Sequence, residues 1–188
     1  MNGIEIMFRY KIYEKLSELW PVGCTCAEIG VWKGDNAKTI LDILKPSKMY
    51  LIDPWMYYDD YPRKLGADGS QKQMEDIYNQ VVKRFMKYDN VSIMREKSED
   101  ALKKIDYLDW IYIDGNHIHE YVKNDLELSW NIIPIGGYII GDDYTILRNK
   151  TLKKELRMAV DNFIEYHSDE VDVPIKGTCN QYFIKKIK

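Results

Sequence analysis

The sequence predicts an α/β protein built on an open, mostly parallel β-sheet. Two short apolar runs, Leu108–Ile113 and Tyr138–Ile140, are separated by a segment of helical length, which is the pattern of a βαβ unit. Acidic residues follow both runs: Asp114 follows the first, and Asp142 and Asp143 come shortly after the second. Since ligands of such sheets bind beyond the carboxyl ends of the strands, the three carboxylates should converge on one small volume.

Three converging carboxylates repel one another unless a positive charge lies between them. A hard divalent cation with oxygen ligands is the simplest solution, which makes Asp114, Asp142 and Asp143 candidate metal ligands.

The chain begins with an irregular helical pattern over residues 5–19, which ends before Pro21. We interpret residues 1–22 as a packing helix at the start of the domain. A partial lid over a cofactor is the alternative.

A strand, a glycine turn and a helix follow, which is the arrangement of a nucleotide-cofactor site. Cys26–Ile29 is the predicted strand and Asn36–Leu44 the helix, and Glu28, Gly30 and Gly34 have the spacing E-x-G-x-x-x-G. This spacing differs from G-x-G-x-x-G, and an acid beside the loop would oppose a pyrophosphate. The loop instead suits a cofactor with a cationic centre and an amino group. A glycine turn that binds no ligand is the alternative.

The second predicted strand, Lys48–Ile52, ends in Asp53. An acid at this position can accept hydrogen bonds from ribose hydroxyl groups, or it can simply cap the turn at Pro54. The aromatic and acidic segment 55–70 is predicted to be a mobile loop on the substrate side, and a flexible insertion is the alternative.

The other elements follow from apolar periodicity. The predicted helices are Gln71–Lys87, Ile118–Trp130 and Lys150–His167, and the predicted strands are Val91–Met94, Leu108–Asp114, Gly137–Gly141, Val171–Val173 and Gln181–Ile187. The last two strands should form an antiparallel pair. Ser98 should cap a helix whose first turn contains Glu99, and the same loop could also contact an adenine ring.

The length of 188 residues predicts a single domain, 1–188, and the net charge of −3 gives no indication of nucleic-acid binding. Without an apolar run of membrane-spanning length or a secretory pattern, we expect a cytoplasmic protein that does not enter a membrane. Its three cysteines, Cys24, Cys26 and Cys179, are expected to be reduced.

Four motifs occur in order between Cys26 and Tyr144: AEIGVWKG, LIDPW, LDWIYIDGNHIHEYVKNDLELSW and IGGYIIGDDY. Together they resemble the class I S-adenosylmethionine-dependent methyltransferases, and more narrowly the small metal-dependent O-methyltransferases that act on catechols and macrolide sugars. The resemblance implies a Rossmann-like three-layer fold whose seven-stranded, mostly parallel sheet has an antiparallel last strand.

The resemblance also implies roles for individual residues. Those implied to bind S-adenosylmethionine are Glu28, Gly30 and Gly34 at the methionine part, Asp53 at the ribose, Ser98 and Glu99 near the adenine, and Asp114. Asp114, Asp142 and Asp143 take the positions of the Mg²⁺ ligands. His117 takes the position of the base that accepts the proton of the acceptor hydroxyl, whose acidity the metal increases.

Alternatives remain at several positions. Asp142 and Asp143 could cap the following turn, and His117 could pack against the start of a helix. We expect His119 to lie on the surface and Asp125 to be an exposed or capping acid.

The expected function is Mg²⁺-assisted O-methylation of a sugar or another small polyhydroxylated metabolite. An NAD(P)-dependent reductase or epimerase and a non-catalytic cofactor-binding module are the alternatives. The segment before the first strand is short compared with that of the catechol-type enzymes, so their helical lid is expected to be either missing or supplied by a partner subunit of a homo-oligomer.

Overall fold

The computed structural model describes residues 13–14, 16–18, 23–59, 69–145, 150–172 and 180–188. The strands are β1 (Thr25–Ile29), β2 (Lys48–Ile52), β3 (Val91–Met94), β4 (Trp110–Ile113), β5 (Tyr138–Gly141), β6 (Val171–Asp172) and β7 (Tyr182–Lys186). The helices are α1 (Asp35–Leu44), α2 (Gln71–Phe85), α3 (Ser98–Ala101), α4 (His119–Ile132) and α5 (Lys150–Tyr166), and a 3₁₀ turn, Leu102–Lys104, follows α3.

The seven strands form one sheet in the order β3-β2-β1-β4-β5-β7-β6. Strands β1 to β5 pair in parallel, and β7 is antiparallel to both β5 and β6. The seven-stranded sheet with an antiparallel last strand is therefore confirmed.

The register of the sheet brings the ends of its central strands to one level. Ile29 pairs with Ile52 on one side and with Ile113 on the other, and Ile113 pairs with Gly141. The residues that follow these four positions therefore emerge side by side at the carboxyl edge, where parallel sheets bind ligands.

Helices cover both faces of the sheet, because successive side chains of a strand point to opposite faces. In β4, Tyr112 belongs to the core formed with α1 and α2, whereas Ile111 belongs to the core formed with α3, α4 and α5. This gives the predicted three layers. None of the helices in the described ranges is long and apolar enough to cross a membrane.

Several predicted boundaries differ from the structure. Strand β4 begins two residues later and ends one residue earlier than predicted, at Trp110 and Ile113. Helix α4, His119–Ile132, begins one residue later and ends two residues later than predicted. Tyr121, on α4, is 49% exposed. Cys24 and Cys26 are free and buried.

Some predictions fall partly outside the described residues. Of the predicted helix 5–19, only residues 13–14 and 16–18 are described; they are helical, and Tyr13 and Leu16 are buried. Residues 60–68 of the predicted loop, the strand end at Val173, and Cys179 also lie outside.

Candidate active site

A cavity of about 430 Å³ opens at the carboxyl edge of the sheet. Its walls include the predicted site residues Gly30, Asp53, Ser98, Glu99, Asp114 and His117. A smaller recess of about 40 Å³ shares Gly30 and Asp114 with this cavity and is also lined by Glu28. These two neighbouring spaces are therefore lined by most of the residues that the sequence singled out, but not by Gly34, Asp142 or Asp143.

Gly30 allows the loop after β1 to lie directly against the loop after β4. Its φ of 85° is in the left-handed region, and a Cβ atom at this position would lie 2.0 Å from the carbonyl oxygen of Asp114. No side chain fits there, which explains the need for glycine in physical terms.

Gly34 is constrained in a similar way at the start of α1. Its φ is 75°, and an added Cβ would lie 2.5 Å from the ring of Phe85 on α2. Glycine at this position lets α2 pack closely against the turn.

A chain of hydrogen bonds orients Glu28 on β1. The side-chain amide of Asn36 donates to Oε1 of Glu28 over 3.0 Å, and the Tyr13 hydroxyl donates to Oδ1 of Asn36 over 2.7 Å. Glu28 is 1% exposed, so its carboxylate is held in a fixed position beside the recess. Sequence analysis did not identify Asn36, whose partner lies eight residues earlier on another element.

The Asp53 carboxylate links the turns after β1 and β2. Oδ2 accepts the backbone N–H of Trp32 over 2.9 Å, and Oδ1 accepts that of Trp55 over 2.7 Å. Burial raises the pKa of Asp53, and the backbone N–H groups of Val31, Trp32 and Trp55 oppose this shift. The turn-capping role considered as an alternative is thus present, and each oxygen retains acceptor capacity for a ligand.

Both tryptophans in this region have positive φ angles, 48° for Trp32 and 43° for Trp55. The Trp55 indole N–H donates to the Trp32 carbonyl over 2.9 Å, and Trp55 is 1% exposed. The prediction that the mobile loop begins at Trp55 was therefore wrong at that residue, which packs in the core against Tyr78.

Asp114, His117 and Asp143 meet at the tips of β4 and β5. His117 is 3% exposed, and its Nε2 lies 3.6 Å from Oδ1 of Asp114 and 3.8 Å from Oδ2 of Asp143. One donor atom from each residue lies within 4.8 Å of the others. Ligand atoms on opposite sides of a small divalent ion are separated by about 4 Å, so this donor set fits such an ion.

Asp142, the third predicted ligand, is not a member of this group. It is 6% exposed, and its backbone N–H donates to the carbonyl oxygen of Ile113 over 3.2 Å. The structure thus brings together two of the three predicted carboxylates, with an imidazole beside them.

Asn180 fixes the position of Asp143. Its amide donates to Oδ1 of Asp143 over 2.8 Å, and its Oδ1 accepts the backbone N–H of Thr145 over 2.7 Å. Asp143 itself has a φ of 60°, a conformation that needs such support. Sequence analysis missed Asn180, because nothing in the sequence links it to a residue 37 positions earlier.

Ser98 and Asp125 are hydrogen-bonded to each other, whereas Ser98 was predicted to cap a helix and Asp125 to be an exposed or capping acid. Lys97 occupies the N-cap position of α3, whereas the Ser98 hydroxyl donates to Oδ1 of Asp125 on α4. Asp125 is not exposed but 98% buried, at 2% relative exposure. Burial raises its pKa to about 7, although the Ser98 hydrogen bond acts in the opposite direction.

His119 also differs from its prediction as a surface residue. Its side chain is 18% exposed and its Nδ1 lies 3.1 Å from Oε1 of Glu120, while its backbone N–H donates to Glu155 on α5. It does not line the cavity.

The raised pKa of Asp125 predicts a specific effect of pH on stability. Between the unfolded pKa, near 3.9, and about 7, the folded protein holds this proton and the unfolded chain does not. Stability is therefore lost as the pH rises through this window. Asp125→Asn removes the titration, so the free energy of unfolding of wild type relative to this variant should fall by about 3 kcal/mol between pH 4.5 and 7.5.

Urea unfolding of both proteins at several pH values would measure this difference. The charged and titratable groups around Asp125 include Glu99, whose charge raises the pKa of Asp125 further, and Tyr182, whose own pKa is raised in part by the Asp125 charge. A difference that does not change with pH would contradict the assignment of a buried, protonated Asp125.

Comparison with known proteins identifies the family and the fold. A family model described as a methyltransferase domain matches residues 27–144, from β1 to just beyond β5. The fold and the cavity therefore define a class I S-adenosylmethionine-dependent methyltransferase. The chain belongs to the methyltransferase domain family of that model.

Individual relatives are distant. An uncharacterized protein of Acanthamoeba polyphaga mimivirus is 29% identical over 212 residues, which cover 100% of this chain and 90% of the viral protein. The O-methyltransferase NovP is 19% identical with a TM-score of 0.68, over 96% of this chain and 80% of NovP. An O-methyltransferase from Bacillus cereus in complex with SAH is 14% identical with a TM-score of 0.67, over 97% of this chain and 81% of its own. At these identities, the two structural matches show the shared fold.

Proposed function

We propose that this methyltransferase transfers the methyl group of S-adenosylmethionine to a hydroxyl oxygen of a small polyhydroxylated molecule, such as a sugar, with assistance from Mg²⁺. The observation that carries this proposal is the group formed by Asp114, His117 and Asp143 beside the cavity. The description of two structural neighbours as O-methyltransferases supports the choice of oxygen as acceptor.

The cofactor would lie across the carboxyl edge of the sheet. Glu28, fixed by Asn36, would accept hydrogen bonds from the methionine ammonium group, next to the close approach that Gly30 permits. Gly34 shapes the same turn, and Asp53 would accept the ribose hydroxyls. The adenine end would then lie toward Ser98 and Glu99 in the larger cavity.

Asp114 belongs to both regions, since it lines the recess and the cavity and also approaches His117. With Asp143 it would hold a divalent cation, and Asp142 would complete the set either directly or by supporting Asp143. A bound Mg²⁺ would increase the acidity of the acceptor hydroxyl. These positions would place the acceptor between the metal ligands and the cofactor.

His117 would accept the proton of the acceptor hydroxyl. Its imidazole is buried, lines the cavity and has a carboxylate oxygen on two sides, so the positive charge that it gains would be stabilised. The acceptor oxygen would then attack the sulfonium methyl group, and holding the two reacting centres in contact would supply much of the acceleration.

Exposed aromatic side chains support a sugar or another polyhydroxylated acceptor. Tyr58, after β2, and Tyr121, on α4, line the cavity and are 40% and 49% exposed. Such rings can stack on the apolar face of a sugar while their hydroxyl groups bond to it.

Release of S-adenosylhomocysteine from S-adenosylmethionine tests the proposal. A panel of sugars, glycosides and catechols should include an acceptor that is methylated with Mg²⁺ present, and EDTA should lower that rate by at least about tenfold. Binding of the cofactor without turnover on any acceptor would favour the non-catalytic module. Full turnover in EDTA would contradict the role of the metal.

Paired variants test the carboxylates after β5. Asp143→Asn should raise the Mg²⁺ concentration needed for half-maximal rate by about 10-fold or more, because Asp143 is part of the donor group. If Asp142 is also a ligand, Asp142→Asn should have a comparable effect on the Mg²⁺ concentration for half-maximal rate. An effect of Asp142→Asn on that concentration without any effect of Asp143→Asn would contradict the geometry.

A further inference from the structure

The Cys24 and Cys26 thiols form a pair that the proposed methyl transfer does not use. Cys24 directly precedes β1, and Cys26 is the second residue of that strand. Both side chains belong to the core that β1 forms with α1 and α2. They lie at the amino end of β1, whereas the cavity opens at the carboxyl edge of the sheet. The pair is therefore a feature separate from the candidate active site.

Two donors stabilise a negative charge on the Cys24 sulfur. The Cys26 thiol is hydrogen-bonded to it, and the indole N–H of Trp110 on β4 donates to Sγ over 3.4 Å. The hydrogen bond from Cys26 lowers the pKa of Cys24, burial and the charge of Asp109 oppose this shift, and Trp110 adds to it, which gives a pKa of about 7. Much of Cys24 is therefore thiolate near neutral pH, and the thiolate is the form that reacts with oxidants.

Cys26 has the opposite character. Burial raises its pKa well above the ordinary value, and the neighbouring Cys24 acts in the same direction, as do the charges of Glu28 and Asp109. Cys26 is 0% exposed, whereas Cys24 is 5% exposed, so a small oxidant meets the Cys24 sulfur first. One thiolate that is oxidised first and one protonated thiol held beside it are the two parts that disulfide formation through a sulfenic acid requires.

The backbone spacing allows a bond between the two sulfurs. The Cys24 carbonyl accepts the backbone N–H groups of Ser47 and Lys48, so the pairing with β2 continues beyond the first residue of β1. Alternate residues of a strand have side chains on one face and Cα atoms about 6.6 Å apart. Disulfides bridge Cα separations of up to about 6.8 Å. A bridge near this upper limit is strained, and strained disulfides are readily reduced again.

We infer that Cys24 and Cys26 form a reversible oxidation site, at which hydrogen peroxide oxidises Cys24 and Cys26 then closes a disulfide. In the first step the Cys24 thiolate attacks one peroxide oxygen, the O–O bond breaks, and the leaving hydroxide takes up a proton to become water. The product is a sulfenic acid on Cys24. This inference concerns a part of the molecule that the proposed methyl transfer does not involve.

In the second step the Cys26 sulfur attacks the Cys24 sulfur. The S–O bond of the sulfenic acid breaks, and the hydroxide leaves as water with the proton of the Cys26 thiol. In total the two thiols lose two electrons and two protons, and one hydrogen peroxide is reduced to two water molecules. An external thiol such as dithiothreitol reverses the reaction by thiol–disulfide exchange.

Treatment of the folded protein with a low molar excess of hydrogen peroxide tests this inference. Wild type and Cys179→Ser are compared, because Cys24 and Cys26 are the only thiols of the variant. Both thiols of the variant should be lost together, dithiothreitol should restore both, and peptide mass mapping should find the bridge between Cys24 and Cys26 in both proteins. Retention of the two thiols, or a bridge from Cys179 to either of them in wild type, would overturn the inference.

Two matched variants, made in the Cys179→Ser protein, separate the roles of the two sulfurs. Cys26→Ser, whose hydroxyl can still donate to Cys24, should stop at a sulfenic acid on Cys24 that dimedone traps. Cys24→Ser should lose its remaining thiol at least about 10-fold more slowly, because Cys26 is enclosed and protonated. Equal rates in the two variants, or no dimedone adduct in Cys26→Ser, would overturn the assigned order of oxidation.

Discussion

His117→Gln is expected to lower methyl transfer by about 10²–10⁴-fold, the usual contribution of a general base. Glutamine keeps a polar side chain of similar length but cannot accept the proton of the acceptor hydroxyl near neutral pH. The residue is 3% exposed, so bulk water is poorly placed to substitute for it. The rate of S-adenosylhomocysteine release with a methylated acceptor measures the effect.

His119→Gln is the matched control for this experiment. His119 lies only two residues further along the chain, but it contacts Glu120 and is absent from the cavity wall. It should retain the wild-type rate within about twofold. Equal losses in the two variants would point to a disturbed helix α4 and would contradict a chemical role for His117.

The two roles that the geometry allows for His117 can also be separated. If His117 is only a proton acceptor, His117→Gln should leave the affinity for the divalent ion within a few-fold of wild type. If His117 is a metal ligand, the same variant should lose both affinity for the ion and the rate of methyl transfer. We expect the first result, and a parallel loss of metal affinity and rate would make His117 a ligand instead.

Gly30→Ala is expected to destabilise the protein by more than about 3 kcal/mol and to abolish cofactor binding. The added Cβ would overlap the Asp114 carbonyl oxygen at 2.0 Å, and that atom belongs to the backbone directly after β4, which pairs with β1. Relief would require the loops after β1 and β4 to separate, which would displace Asp114 from the site. Urea unfolding and S-adenosylhomocysteine binding measure the two effects.

Gly136→Ala separates overlap from backbone strain. Gly136 has nearly the same φ, 88° against 85°, but an added Cβ at Gly136 meets no atom within 4 Å. It should cost only about 1–2 kcal/mol, the penalty for a side chain in the left-handed region. Similar costs in both variants would show that the contact between Gly30 and Asp114 is unimportant.

The fold was predictable because its signals are local. Apolar runs of four to six residues alternate with amphipathic segments, and this alternation alone specifies a parallel sheet covered by helices. The site was partly predictable for the same reason. Topology places whatever follows β1, β2, β4 and β5 at one edge, so Gly30, Asp53, Asp114 and Asp143 were found from strand ends alone.

The parts that were missed depend on partners distant in sequence. Asp125 has the position of an ordinary helix acid, and only its contact with Ser98, 27 residues earlier, shows it to be a buried wall of the cavity. Asn180 supports Asp143 from the other end of the domain. Trp55 begins an aromatic, acidic segment, yet its indole N–H finds the Trp32 carbonyl and it packs in the core. No periodicity encodes such pairs.

The central claim is that Asp114 and Asp143 hold a divalent cation beside the cofactor, next to the His117 imidazole. Electron paramagnetic resonance titration with Mn²⁺, as a probe that Mg²⁺ displaces, tests this claim without any acceptor. We predict that wild type binds one Mn²⁺ per chain and that Asp143→Asn weakens this binding by about 10- to 100-fold. The claim would be contradicted if wild type bound no Mn²⁺, or if Asp143→Asn did not weaken Mn²⁺ binding.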